Sequence, residues 1–217
     1  MKKNRKCKHI SFGTIIICLL CMTVWLTNKE DRLLEKEILE LREKYPICGL
    51  STPANASTQS VTVESQIENG FIDSFVYGEV IGDYTKYYKN IYSGHEVIDD
   101  KMKQNGLGVF EFYEYTIAVI EDTEGRYQEG DIITITDNSM RIDFNPKLSD
   151  GMKVVVPVMQ DKDKLSRNWF GIFGMYYVTE DGYALSAFDE NTAATARTTY
   201  SGIKVENLLK ELAELKK

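Results

Sequence analysis

The stretch FEFYEYTIAVIE, residues 110–121, sets the class of the fold. Tyr113, Tyr115, Ile117 and Val119 recur at every second position on one side. Glu114, Thr116 and Ala118 take the other side, flanked by Phe112 and Ile120. A period of two sends alternate side chains to opposite faces of an extended chain, and the β-branched and aromatic content suits a half-buried strand. Residues 131–137 (DIITITD) follow across a loop with Gly125 and Gly130 and predict a second strand. Residues 153–159 predict a third, in which Pro157 implies an edge or a bend, because proline brings no N–H to a ladder. Residues 174–179 and 183–188 flank Glu180-Asp181-Gly182, a compact hairpin signal. Residues 72–81 predict another strand, with Gly78 and Gly82 permitting a bulge or a sharp turn.

The chain closes on a helical pattern. Val205, Leu208, Leu209, Leu212 and Leu215 share one face, and Glu206, Lys210, Glu211 and Lys216 decorate the rest. Packing of this face on the sheet is the expectation, with a protein-docking helix as the alternative. The expected fold class is mainly β: an OB-like partly closed barrel or bent antiparallel sheet with a C-terminal helix. Residues 76–81 (VYGEVI), 115–121 (YTIAVIE), 130–135 (GDIITI) and 148–156 (LSDGMKVVV) carry a resemblance in that direction. The chain is similar, over about residues 71–190, to OB-like β domains of uncharacterised Gram-positive proteins that are secreted or membrane-anchored. The resemblance implies a fold and brings no catalytic residue with it. The long insertion over residues 83–108 departs from the compact pattern.

Ahead of the β domain, residues 9–28 contain no charged residue and follow the basic head formed by Lys2, Lys3, Arg5, Lys6 and Lys8. Twenty helical residues at about 1.5 Å each span roughly the 30 Å of a bilayer's hydrocarbon core. A transmembrane anchor is therefore expected over 9–28. A cleaved signal peptide has a shorter apolar core of about 7–15 residues and an A-x-A-like site, which is not found here. A lipoprotein reading fails because bulky Ile17 and Leu20 precede Cys18 and Cys21. The excess of basic residues before the span places residues 1–8 in the cytoplasm and the remainder outside, with Trp25 near the outer interface. The expected localisation is the cell membrane, crossed once.

Residues 29–45 then predict a charged helical stalk. Its Leu34, Ile38, Leu41 and Tyr45 form a two-heptad seam, which offers weak homodimerisation as one use and a solvated helix as another. Tyr45-Pro46 ends it. Residues 46–65, rich in small polar residues and holding the sequon Asn55-Ala56-Ser57, predict a flexible tether to a β domain over 66–217.

Composition narrows the function. The formal charge is −7, from 26 Lys and Arg against 33 Asp and Glu. Five of those bases and none of the acids lie in the first 28 residues, which leaves 21 bases against 33 acids, or −12, beyond the span. Such a domain repels nucleic acid. Cys48 alone of the four cysteines lies beyond the span, so no internal disulfide is available there. No Cys/His cluster has zinc spacing, and neither a metal nor a cofactor is expected.

Enzyme signatures are weak. His95, in Ser93-Gly94-His95-Glu96, has no nucleophile turn to serve and predicts a surface histidine. Ser139-Met140 has the Ser-Met pair of a signal-peptidase-type dyad, but Arg141-Ile142-Asp143 follows it and no buried lysine base can be assigned. Asp161-Lys162-Asp163-Lys164 and Asp99-Asp100 lack a full calcium-loop pattern. Tyrosine is the unusual residue, at thirteen in 217. Tyr84, Tyr87, Tyr88 and Tyr92 cluster beside Lys86 and Lys89, and Trp169 and Phe170 lead a second aromatic group. Apolar area with a polar tip suits contact with peptides, glycans or proteins, and these six residues are the candidate binding set. Rings filling the core are the competing account. The expected function is a membrane-anchored binding or interaction protein. The rivals are an envelope hydrolase or peptidase and a scaffold subunit of a membrane complex.

Overall fold

The alternation in residues 110–121 becomes one strand of an eight-stranded, mainly antiparallel sheet that carries a helix at its C-terminal end. The computed structural model describes residues 32–47, 63–138, 146, 148–160, 167–170, 174–187 and 201–216. Two short helices come first, α1 (Glu35–Leu41) and α2 (Val63–Glu68). The strand β1 (Ser74–Asn90) leads through α3 (Glu96–Gln104) to β2 (Val109–Asp122), β3 (Ile132–Asn138) and β4 (Lys153–Gln160). Then come β5 (Arg167–Phe170), β6 (Tyr176–Val178), β7 (Tyr183–Ser186), β8 (Ile203–Lys204) and the closing helix α4 (Val205–Glu214).

The first strand organises the sheet. β1 is 17 residues long and pairs antiparallel with β2 at both of its ends, while Ser74–Glu79 also pairs with β4. β2 continues to β3, β3 runs parallel to β5, and β5 pairs with β4. Hydrogen-bonded neighbours thus lead from β1 through β2, β3, β5 and β4 back to β1. β6, β7 and β8 extend from β4 and leave that side of the sheet open.

Pro157 was expected to mark an edge or a bend. β4 is instead an interior strand, with β1 along one side. On the other side β6 pairs with Lys153–Val155 and β5 with Val158–Gln160. Pro157 falls in the gap between those two neighbours, where a missing N–H costs least.

Apolar residues divide between two clusters. Tyr113, Tyr115, Ile117, Val119, Ile133, Ile135, Val154, Val156 and Tyr177 pack together in the first. Phe75, Val155, Tyr176 and Val178 pack in the second with Val205, Leu208, Leu209 and Leu212 of α4. The closing helix is therefore a core element, as one reading of its leucines had it.

Of the N-terminal expectations, the stalk is the one that changes. The anchor over 9–28 lies outside the described residues, and among those residues no helix is long and apolar enough to cross a membrane. The helix expected over 29–45 is α1, seven residues long, and it packs on the sheet rather than projecting from it. Leu33, Ile38, Leu41 and Tyr45 lie against the first cluster, and the Tyr45 ring meets that of Tyr177 at 5.6 Å. The Leu33 amide donates to the Gly202 carbonyl at 2.7 Å, Arg32 bridges to Ile203, and the Arg42 guanidinium donates to the Ser186 carbonyl at 2.8 Å. Three of the four seam residues are thus used within the chain; Leu34 stays exposed. Residues 48–62 lie outside the described residues, yet Tyr45 before them and Val63 after them are both buried in the same domain. The domain therefore begins before residue 66.

Candidate functional site

Beyond residue 81, β1 leaves β4 and continues with β2 as an arm. Ile81 pairs with Thr116 but Thr85 with Glu114, so β1 carries two extra residues there. Gly82 takes a φ of +68°, a conformation that costs glycine little, and its amide donates to Asp150 Oδ1 at 2.6 Å. The bulge tips Tyr84 onto two rings of β2. It meets Tyr113 edge-on at 4.7 Å and 79°, and Tyr115 at 5.9 Å and 62°.

Past the bulge, cross-strand partners stand on one face. Lys86 lies opposite Tyr113 and Tyr88 opposite Glu111. The Tyr88 hydroxyl donates to Glu111 Oε2 at 2.7 Å, and Lys86 Nζ approaches the same oxygen at 3.2 Å. Lys86 Nζ also stands 5.8 Å from the centroid of the Tyr113 ring. From Ile117 outward the strip grades from fully buried through Tyr115 and Tyr113, 5% and 9% exposed, to Tyr84 and Tyr88, 45% and 58% exposed. One end is core and the other is surface.

The four tyrosines of the candidate set do not share one face. Tyr84 and Tyr88 share this face. Tyr87 points to the opposite one, 6.0 Å from Phe112, because neighbours in a strand alternate. Tyr92 lies at the foot of α3, with Lys103 Nζ 5.1 Å over its ring. Trp169 and Phe170 stand in β5, where Trp169 is in register, through Thr136 and Glu114, with Thr85 of the arm; their side chains lie outside the described residues. The arm also exposes Ile91, Val97, Ile98, Leu107 and Val109 around α3. The sequence reading passed over Glu111 as a member of the set. Only the pairing of residues 88 and 111 reveals it.

Electrostatics fix the site in its neutral-pH form. The Tyr88 hydroxyl, and after it Lys86, holds the Glu111 carboxyl below the usual carboxylate range. The same hydrogen bond from the other side raises Tyr88, and Glu111 raises Lys86. Burial, then the neighbouring Asp137, pushes the Tyr115 phenol up to about 12. A depressed carboxyl favours the folded arrangement at pH above its unfolded value, and that contribution disappears as pH falls through the folded one. The NMR signals of Tyr88 and Lys86 are therefore expected to stay constant through neutral pH and to move only in acid, below the ordinary carboxylate range. Glu111→Gln should abolish that acid step. A Glu111 titration at or above the ordinary carboxylate range would contradict the arrangement.

Other candidates resolve simply. Asp99 is buried, which opposes its ionisation, but the Ser93 hydroxyl and the Ser93 and Gly94 amides hydrogen-bond it and lower its pKa. It organises the loop before α3. His95 is the exposed residue at the head of that helix. Among the described residues, no three acids, histidines or cysteines gather in a way that could hold a metal. Ser139, Cys48 and Asp161–Lys164 lie outside those residues.

A cleft of ≈ 360 Å³ opens between the end of α1, the start of β4 and the β6–β7 turn, lined by Lys44, Tyr45, Ser149, Asp150, Lys153 and Glu180 among others. Its Lys44 is paired to Glu180 at 2.6 Å, which raises the lysine. A lysine acting as a base for a serine hydroxyl needs the opposite shift. No known protein family, curated protein or solved structure matches the chain.

Proposed function

We propose that this is a single-pass membrane-anchored protein whose OB-like domain binds an envelope component outside the membrane through the β1–β2 arm. The carrying observation is the graded strip of Tyr84, Lys86, Tyr88 and Glu111 on buried Tyr113 and Tyr115. Exposed rings on a rigid, buried footing lose little entropy when they bind, and a lysine and a carboxylate beside them add direction. The five exposed apolar residues around α3 supply further contact area on the same arm. Support for an OB-like barrel comes from the neighbour order β1-β2-β3-β5-β4 with its return to β1. In OB folds the face of the second and third strands, with the loop between the first two, receives oligonucleotides and oligosaccharides. An exported portion at −12 disfavours the former, so a glycan or a peptide is the ligand class. The anchor rests on the charge-free residues 9–28 behind five bases.

The test compares capture by full-length chains in nanodiscs, using solubilised envelope fractions and crosslinking. Tyr84→Ala combined with Tyr88→Ala is expected to lower recovery of the captured component at least about tenfold, as loss of central aromatic anchors does. Tyr87→Ala, on the other face, should retain it, with circular dichroism unchanged in both. Equal capture by all three chains would remove the arm from the function.

A further inference from the structure

We infer that the α1–β8 face is held against the outer surface of the bilayer, so that the domain works at the membrane plane and not at the end of a spacer. The inference rests on the anchor reading of residues 9–28. Its other half is the docking of the chain directly after that segment. Arg32 is already bridged to Ile203, and the Leu33 amide is bonded to the Gly202 carbonyl. Four peptide steps separate Asn28 from Arg32. At no more than about 3.6 Å per residue they reach about 14 Å, whatever their conformation. A projecting stalk and tether would have allowed several times that distance.

The face does not depend on charge attraction. Glu35, Glu37 and Glu40 of α1 are exposed beside Lys36, a mixture with no affinity for anionic headgroups. Leu34 and Leu39 are 58% and 66% exposed on the same short helix and give it apolar contact area at the interface. The short covalent connection sets the position, and the leucines are compatible with it. A ligand of this domain then belongs to the membrane surface or the layer next to it.

Energy transfer measures the distance. The full-length chain, its four native cysteines replaced by Ser, carries a donor on Lys204→Cys, next to Ile203 in β8. It is reconstituted in vesicles of phosphatidylethanolamine and phosphatidylglycerol with acceptor-labelled headgroups. Four peptide steps from Asn28 to Arg32 and the bridge from Arg32 to Ile203 place the donor within about 25 Å of the headgroups. A larger distance in chains that co-float with the vesicles overturns the inference and leaves the anchor standing. Chains that fail to float overturn the anchor first, and the inference with it. Inserting twenty Gly and Ser residues after Asn28 leaves the domain untouched and should raise the separation by about 25 Å, the mean reach of such a linker. An unchanged distance would show that the connection is not what holds the face.

Discussion

Gly78→Val is expected to lower the domain's unfolding free energy by about 3 kcal/mol or more, a large share of the roughly 5–15 kcal/mol that holds a domain folded. Gly78 lies in β1 where that strand is clasped by β2 on one side and β4 on the other. A Cβ built there would stand 2.4 Å from Ile117 Cγ2 and 2.6 Å from the Ala118 carbonyl oxygen. Both contacts are well inside van der Waals distance. Ile117 is fully buried and the carbonyl is backbone, so neither can swing aside. The substitution must spread β1 from β2 or displace the core beneath. Urea denaturation followed by circular dichroism gives the measurement. A midpoint within about 0.3 M of the wild-type value would mean that the two strands do not approach this closely.

Leu208→Ala in α4 is expected to cost about 2–5 kcal/mol. Leu208 is 0% exposed and packs with Phe75, Val155 and Tyr176 of the sheet, where a truncated side chain leaves a cavity closed on all sides. Leu215→Ala, at the partly buried end of the same stripe, should cost under about 1 kcal/mol. The pair of values separates a core helix from a docking helix. A helix that waits for a partner would tolerate both changes in the isolated protein and lose only binding. Equal, negligible costs would therefore return α4 to the docking reading.

The parts of the fold that sequence made readable are those where a single periodicity serves a single purpose. In β2, β3 and α4 the apolar residues face one core, and their spacing is visible without partners. β1 past Gly82 was not readable. Tyr84-Thr85-Lys86-Tyr87-Tyr88-Lys89 has no apolar alternation, because the arm has a wet surface on its outer part. β5 is four residues, too short for any period, and its parallel partner β3 lies 33 positions earlier in sequence, Ile135 pairing with Asn168. α1 shows a different failure. Ile38, Leu41 and Tyr45 have the same spacing whether they meet a second helix or a sheet, so a seam can be read from sequence but its partner cannot. The candidate site was readable as an unusual density of tyrosine. Which rings share a face depends on the bulge at Gly82, and which carboxylate they grip depends on register.

The double clasp of β1 also sets the order in which the domain can assemble. β1 and β2 join across residues 91–108, which hold α3, and β3 follows β2 across residues 123–131, so this meander closes shorter loops than the pairing with β4 does. The other side of β1 has to wait for β4, whose Lys153 pairs with Glu79 from 74 positions away. Closing that distance costs chain entropy before any contact repays it, and β topologies of this kind fold in milliseconds to seconds, not microseconds. Until β4 arrives, the side of β1 that it will cover presents unpaired backbone groups next to Phe75 and Val76. On a ribosome the meander emerges well before β4 does. The interval between the two is the period in which a nascent chain of this protein is open to pairing with another copy.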